Sequence, residues 1–306
     1  MTSAPTVGRD GPSGAASEGV AGRDDPSVVT GHSSPDAGPR SRVVSVYLSP
    51  VYPALGIAAL YGAWWAAVAF GATPGSFLSR FGPDAAIIAL VRLASTGELW
   101  VHLGTSLRRV AIGLAIATVI GIPLGYLTGR FRTFAQASGA PFLLVRMVSP
   151  LSWTPLAIVL LGVGDRPVVF LIAIAATWPI VANVAAGVAA LDPRWRMVAR
   201  SLGATPWEVL RTVEWPGIRT HVLTGLRLAV GLAWVVLVPA EMLGVTSGIG
   251  YFALNTRDRL AYPELMASIL AIGASGVVID AGARWAFRER RRPRDVDAGT
   301  TASVAV

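Results

Sequence analysis

The chain has 306 residues, of which 53% are hydrophobic and only 14% are charged, and its mean hydropathy is +0.56. Soluble domains carry about 25% charged residues, so this composition argues against a soluble enzyme and indicates a membrane protein. The net charge of +8 comes entirely from arginine, and membrane topology explains it better than nucleic-acid binding does. The chain has no cysteine and only three scattered histidines, which argues against zinc and thiol chemistry. We therefore expect neither a metal site nor a nucleic-acid partner.

The first 45 residues are rich in Gly, Ser, Pro and Asp, so they are predicted to form a disordered cytoplasmic tail. Six apolar stretches follow, each close to the roughly 20 residues that cross ~30 Å of hydrocarbon as a helix. They predict spans at 51–70, 105–127, 141–163, 168–191, 222–243 and 262–281. A shorter apolar run at 85–94 predicts an interfacial helix. The predicted fold is all-α and polytopic, with a six-helix transmembrane domain over 46–285 and a basic cytoplasmic tail over 286–306.

Arginine near the ends of spans is retained on the cytoplasmic side of the membrane. Placing both termini in the cytoplasm leaves most loop arginines inside, and the few that fall outside are Arg80, Arg92, Arg166, Arg257 and Arg259. The sequence therefore predicts a cytoplasmic N-terminus and a cytoplasmic C-terminus. Arg108 and Arg109 fall near the outer end of the second span, where they either snorkel to the interface or face protein.

A polar but patterned segment at 192–220 joins the fourth and fifth spans and is predicted to fold in the cytoplasm. Thr205 and Glu208 form a capping box around Pro206, which predicts a helix from that proline onward. The Trp-Pro-Gly sequence at 215–217 is predicted to end this helix. An apolar stripe at helical spacing should face the cytoplasm and fit a groove on another protein, or the membrane surface. The stripe consists of Pro206, Val209, Leu210 and Val213. The alternative is a surface helix that packs on its own chain.

The same segment resembles the EAA loop of ABC-importer permeases, whose pattern is Glu-Ala-Ala, three residues, Gly, nine residues, Ile, one residue and Leu-Pro. The residues that fall at this spacing are Ala199, Gly203, Val213 and Pro216. Met197, Val198 and Trp215 replace the Glu, Ala and Leu of the pattern. The polar contact that the Glu would make to the ATPase therefore has no assigned residue in this sequence. The flanking sequence over 90–285 is similar to the nitrate, sulfonate, taurine and bicarbonate permeases of that superfamily.

The resemblance implies a type I ABC-importer permease fold and a non-enzymatic transport subunit of a bacterial inner membrane. Two copies, surrounded by membrane lipids, would form the pathway for a small anion or sulfonate-type solute such as nitrate, an alkanesulfonate or taurine. A periplasmic or lipid-anchored binding protein would deliver the solute. A separate cytoplasmic ATPase would bind ATP and Mg²⁺, since this sequence has no Walker-type phosphate loop, and this chain would bind no cofactor. The implied ATPase-coupling residues are Ala199, Gly203, Ala204, Thr205, Trp207, Glu208, Leu210, Val213 and Pro216.

Polar side chains inside the predicted spans are candidates for lining a transport pathway. Together with backbone donors freed by prolines, they can replace the hydration shell of a small anion. The alternative is that the prolines and hydroxyls only shape helix packing. The pathway candidates are Ser152, Trp153, Thr154, Thr177, Asn183 and Glu241. Glu241, at the outer end of the fifth span, is predicted to be an outer-gate or interhelix hydrogen-bonding group. A glycine-containing segment at 244–255 is either a re-entrant hairpin or an exposed loop.

Two other functional classes would need different sequence features. An ion-gradient-driven secondary transporter needs inverted repeats of broken helices and a coupling-ion site. A membrane-embedded hydrolase needs an intramembrane nucleophile with an adjacent base, or paired acids. The sequence carries the signal of neither class.

Overall fold

The structure is a computed structural model that describes residues 51–71 and 80–287, and every structural statement concerns those residues. The predicted N-terminal tail at 1–45 and almost all of the basic tail at 286–306 lie outside the described residues.

The described part of the chain is helical and contains no strand, which confirms the all-α prediction. Its helices are α1 (Val51–Gly71), α2 (Pro83–Thr96), α3 (Glu98–Arg130), α4 (Arg132–Met147), α5 (Thr154–Leu161), α6 (Asp165–Ala190), α7 (Pro193–Ser201), α8 (Pro206–Val209), α9 (Trp215–Glu241), α10 (Ile249–Asp258) and α11 (Tyr262–Ala286). A 3-10 turn at Pro150–Trp153 precedes α5, and a π-helical turn at Leu210–Glu214 joins α8 to α9.

Helix α6 is the centre of the bundle. In the most apolar 18-residue stretch of each helix, 56% of the residues of α6 are buried, compared with 28% for α3, 17% for α11 and none for α1. Apolar side chains on the outer helices, such as Val119 and Leu160, are therefore exposed on the isolated chain. Exposed apolar surface of this kind is what a lipid environment covers. The short predicted helix at 85–94 is present as α2, whose Asp84 accepts a hydrogen bond from the hydroxyl of Tyr61 on α1.

Helices α3 and α6 pack closely against each other through small residues of α3. A Cβ atom added at Gly113 would lie 2.8 Å from Cβ of Ile172, and one at Gly125 would lie 2.7 Å from Cβ of Val184 and 2.8 Å from the carbonyl oxygen of Val181. Only glycine allows the two backbones to approach this closely. Later residues of α3 pair with later residues of α6, so the two helices run parallel.

Because α3 and α6 are parallel, the segment between them must return across the whole bundle. That return is made by α4, the 3-10 turn and α5, and the two halves of this segment are bent by 87°. The predicted span at 141–163 therefore falls on a bent pair of helices rather than on one straight helix. Val148 and Ser149 are extended, with ψ angles of 126° and 132°. Ser149 directly precedes Pro150, and a residue before proline avoids the helical region. Pro150 itself has no N–H to donate to a continuing helix.

Within 51–71 and 80–287, five helices are long and apolar enough to cross a membrane, and the bent pair is a candidate for a sixth crossing. The predicted number of spans is confirmed on that basis. The helix boundaries shift outward from the predicted ones, since α3 begins at Glu98 rather than at 105 and α6 begins at Asp165 rather than at 168.

Helix α9 runs antiparallel to α6 and continues directly from the predicted coupling segment at 192–220. The predicted helix end at 215–217 is wrong, because the π-helical turn carries the backbone through it. The N–H of Trp215 donates to the carbonyl of Leu210, five residues earlier. Pro216 follows this wider turn and has no N–H to donate within the continuous helix.

The glycine contact between α3 and α6 makes a testable prediction. Gly125→Ala should lower the free energy of unfolding by about 1–3 kcal/mol, because its methyl group must displace the backbone of α6. Gly104→Ala, on the same helix, is the matched control, since a Cβ atom there meets nothing within 4 Å. Alanine at that position should leave stability unchanged or raise it slightly. Thermal denaturation of the detergent-solubilised variants measures both effects, and equal melting temperatures would contradict the close contact.

Candidate functional site

The predicted coupling segment forms a short helical hairpin made of α7 and α8. Asp192 caps α7 by accepting the N–H of Arg194 at 2.9 Å. The chain then reverses at Gly203, whose φ of +82° lies in the left-handed region that favours glycine. The N–H of Ala204 donates to the carbonyl of Ala199 at 3.1 Å and closes the turn. The spacing of alanine and glycine in the EAA-like pattern therefore corresponds to a helix C-terminus.

The capping box at the start of α8 is confirmed. The N–H of Glu208 donates to Oγ1 of Thr205 at 3.4 Å, and the N–H of Thr205 donates to Oε2 of Glu208 at 2.7 Å. The helix begins at Pro206 as predicted. These reciprocal bonds satisfy donors that would otherwise lack helical partners, so the hairpin has a fixed shape without help from another protein.

The apolar side chains of the hairpin divide between two faces. Val209 is only 3% exposed, so the prediction that its stripe faces the cytoplasm is wrong at that position. It packs on its own chain, as the alternative interpretation had it. The outward face instead carries Leu202, which is 82% exposed, and Trp207, which is 67% exposed. Of the other predicted coupling residues, Ala199, Ala204, Leu210 and Val213 are half-buried, and Gly203, Thr205, Glu208 and Pro216 are exposed.

A buried acid ties this hairpin to the transmembrane bundle. Glu214, in the π-helical turn, is 3% exposed. It accepts hydrogen bonds from Nε of Arg196 on α7, at 2.5 Å, and from the hydroxyl of Tyr126 on α3. Arg130, at the end of α3, lies 3.7 Å away. The sequence analysis missed this cluster, although an acid inside a segment rich in arginine was a signal that pointed to it.

A cavity of about 470 Å³ lies between α4, α6 and α9. It is lined by Arg146, Val148, Pro150, Ala175, Trp178, Pro179, Ala182, Asn183, Leu228, Leu232 and Val236. Asn183 is the one predicted pathway residue in this lining, and its amide donates to the carbonyl of Pro179 at 2.8 Å. Arg146 was missed by the sequence analysis, although a charge inside a predicted span is itself a functional signal.

The other polar candidates of the third and fourth spans lie outside this lining. Ser152 is exposed on the 3-10 turn, and Trp153 is half-buried with an indole N–H that has no partner in the described part of the chain. Thr154 and Thr177 are buried, and each hydroxyl donates to a carbonyl of its own helical turn, Leu151 and Ala173 respectively. Hydroxyls bonded in this way shape the helices that carry them.

A second buried cluster closes the opposite end of the bundle. Arg109 is 1% exposed and Glu241 is fully buried, and their Nη1 and Oε1 atoms are 2.6 Å apart. Arg109 also donates to Oδ1 of Asp165 from Nε at 3.0 Å and from Nη2 at 2.6 Å, and Arg108 pairs with the other carboxylate oxygen. Arg109 therefore faces protein, and Arg108 is held at the start of α6.

The same cluster fixes the turn that leads into α10. Ser106 donates to both carboxylate oxygens of Glu241, at 2.8 and 2.9 Å, and accepts the N–H of Ile249 at 2.9 Å. The N–H of Gly250 donates to Oε2 of Glu241 at 2.9 Å. Gly248 has a φ of +107°, and a Cβ atom there would lie 2.3 Å from Oε1 of Glu241. The segment at 244–255, for which the sequence left a re-entrant hairpin and an exposed loop open, is thus a turn followed by the helix α10, and Glu241 makes interhelix hydrogen bonds.

Residues 121–288 match the family described as the binding-protein-dependent transport system inner membrane component. This match covers more than half of the chain. The chain belongs to this family. The resemblance that the EAA-like loop carries is therefore confirmed, and the chain is a member of a family of membrane transport components rather than of enzymes.

Several named relatives of this transport family are similar to the chain. The bicarbonate transport system permease protein CmpB of Synechococcus elongatus is 35% identical over 185 residues, which are 60% of this chain and 66% of that protein. The nitrate import permease protein NrtB of Synechocystis is 32% identical over 182 residues, which are 60% of this chain and 66% of that protein. The chain thus spans just under two thirds of both. The taurine transport system permease protein TauC of Escherichia coli is 31% identical over 242 residues, 78% of this chain and 87% of that protein.

The fold also matches a solved transporter. A chain from the MetNI methionine ABC transporter, in an inward-facing conformation, superimposes with a TM-score of 0.50 and 15% sequence identity. The match covers 60% of this chain and 92% of that one. At this identity the likeness bears on the fold alone, and it confirms the predicted type I importer fold.

The buried cluster at the C-terminal end of α9 makes a prediction about stability. Glu241→Gln keeps the volume of the side chain but removes the charge that faces Arg109, and should lower the free energy of unfolding by about 3 kcal/mol. Asp258→Asn is the control, because its ion pair with Arg257 is more than half exposed and should change stability little. Melting temperatures of the purified variants measure the difference. Similar losses in both variants would contradict a structural role specific to the buried pair.

Proposed function

We propose that this chain is the transmembrane permease subunit of an ATP-driven importer, working as a homodimer with two copies of a separate cytoplasmic ATPase. Membership of the transport family supports the permease role, and the relatives named above are permeases for bicarbonate, nitrate and taurine. The one observation that carries the coupling role is the capped α7–α8 hairpin, which projects exposed apolar side chains from a rigid backbone.

The hairpin has the properties that docking into a protein groove requires. Its backbone shape is fixed by the capping box and by the left-handed turn at Gly203. Leu202 and Trp207 are exposed, and large apolar side chains on a rigid element are typical anchors of protein interfaces. Glu214 fastens the base of the hairpin to α3 and α7, so a displacement of the hairpin moves the bundle with it.

The proposed topology places the hairpin, both termini and the ATPase on the cytoplasmic side of a bacterial inner membrane. Six crossings put both ends of the chain on the same side. The α3–α6 packing supports this count, because the parallel pair requires α4 and α5 to cross between them. The arginine distribution then selects the cytoplasm as that side. The outer ends of α3 and α9, with the start of α10, face the compartment from which a periplasmic or lipid-anchored binding protein delivers the solute.

The proposed cargo is a small anion or a sulfonate-type solute, such as nitrate, an alkanesulfonate or taurine. The named relatives support this class, because bicarbonate, nitrate and taurine each present a compact oxyanionic group. ATP and Mg²⁺ belong to the partner ATPase in this proposal, and this chain supplies the pathway and the mechanical connection. The polar pathway candidates Ser152, Trp153, Thr154, Thr177, Asn183 and Glu241 remain a prediction, with Asn183 best supported by its position in the cavity lining.

The coupling role is tested by replacing the exposed aromatic anchor of the hairpin. Trp207→Asp should reduce ATP-driven uptake by on the order of tenfold or more and weaken retention of the ATPase on the tagged permease, because a charge replaces an apolar interface anchor. Uptake of nitrate, bicarbonate and taurine into proteoliposomes containing the co-purified complex measures the effect.

Trp285→Asp is the matched control for this experiment. Trp285 is 78% exposed near the end of α11, on the same side of the membrane in the proposed topology and outside the hairpin. Uptake should be normal in this variant. The coupling assignment is overturned if Trp207→Asp keeps both normal uptake and normal ATPase retention. The permease proposal itself fails if the purified chain moves solute on an ion gradient alone, without ATP.

A further inference from the structure

The cavity between α4, α6 and α9 contains an unpaired cation. Arg146 lies in the last turn of α4 and lines the cavity. The lining contains no carboxylate, and no ion pair within 51–71 or 80–287 involves this arginine. The arginines of the two structural clusters, the buried Arg109 and the half-buried Arg196, are paired with acids. Arg146 therefore differs from them in having its charge available.

Arg146 lies next to the break between α4 and the segment Pro150–Leu161. These two parts together make one crossing of the bundle. A charged side chain at intramembrane depth is costly unless it faces a polar cavity or a partner. The end of α4 also presents carbonyl groups, whose partial negative charge stabilises a nearby cation. Arg146 is exposed on the isolated chain and lines the cavity, so its guanidinium is accessible to a solute that enters there.

The groups around the guanidinium favour a small anion over a cation or a neutral solute. Asn183 contributes an amide, and Trp178 contributes an indole whose ring is fixed against Phe142, with centroids 5.5 Å apart. The remaining wall is mainly apolar, with Leu228 and Leu232 facing the same space. A cavity of about 470 Å³ holds a compact oxyanion and a few carbon atoms or waters. An arginine fork binds two oxygen atoms of such a group at once.

We propose that Arg146 is an anion-binding residue of the transport pathway, which receives the nitrate-, carboxylate- or sulfonate-type group of the cargo in the cavity beside Trp178 and Asn183. This inference rests on the proposed function, because the anion is a cargo only if the chain is a transport subunit. The anion-attracting cavity itself is a property of this chain and can be tested without ATP or any partner. The apolar wall accepts the carbon part of the solute, and the single guanidinium holds its charged end.

The first experiment uses the absence of cysteine from the chain. A single cysteine is introduced by Asn183→Cys, and its rates of modification by a negatively charged and a positively charged methanethiosulfonate reagent of similar size are compared. The negatively charged reagent should react faster by on the order of three- to tenfold after correction for the intrinsic rates, because the nearby guanidinium attracts it. Adding Arg146→Gln should abolish this preference, and adding Arg132→Gln should keep it. Arg132 is an exposed arginine at the other end of the same helix, outside the cavity lining.

Three results would overturn the proposal. They are equal rates with Arg146 present, a preference that survives Arg146→Gln, and a cysteine that neither reagent reaches in any condition. The last result would show that the cavity is not open to water. Because the purified permease suffices for this measurement, the result does not depend on coupling to an ATPase.

The second experiment asks whether the site acts on cargo. In the assembled complex, Arg146→Gln should slow ATP-driven uptake of nitrate, bicarbonate or taurine, whichever the complex carries, by at least about tenfold. ATP hydrolysis and retention of the ATPase should remain, and Arg146→Lys should restore part of the uptake. Normal uptake by Arg146→Gln contradicts the role in transport. If instead no variant shows ATP-driven uptake while the charge preference at position 183 persists, the proposed function fails and the anion site stands.

Discussion

The close parallel packing of α3 against α6 is the constraint on which the rest of the structure depends. Glycines along α3 remove the side chains that would hold the two helices apart, and branched residues of α6 fill the space. Two parallel neighbours cannot be joined by a short turn, so the intervening chain must cross the bundle. That requirement produces the bent α4–α5 segment, and the bend in turn leaves the cavity that Arg146 and Asn183 line.

The two ends of this packed pair are closed by buried ionic clusters of different composition. At one end Glu241 is surrounded by Arg109, Ser106 and backbone N–H groups, so its carboxylate oxygens are satisfied from several elements. At the other end Glu214 joins α3, α7 and the π-helical turn. A buried charge left without its partner is costly, so each cluster specifies one arrangement of the helices that meet there.

Local features of the fold were predictable from the sequence, and features that depend on distant partners were not. The capping box at Thr205 and Glu208 lies within one helical turn, so its residues alone determine it. The number of apolar stretches also follows from composition. Glu241 and Arg109 were both noticed, but they are 132 residues apart in sequence, and spacing along one helix says nothing about a partner on another. The burial of Val209 was missed for the same reason, since a stripe on a helix does not reveal which of two surfaces covers it.

The π-helical turn at Leu210–Glu214 has a mechanical consequence for the chain. It leaves the backbone helical without interruption from Pro206 to Glu241, a run of 36 residues that extends for about 54 Å. A rod of that length exceeds the thickness of the hydrocarbon layer, ~30 Å. A displacement at its Pro206 end is therefore transmitted along one continuous helix to its Glu241 end, and the turn that leads into α10 follows directly from that end.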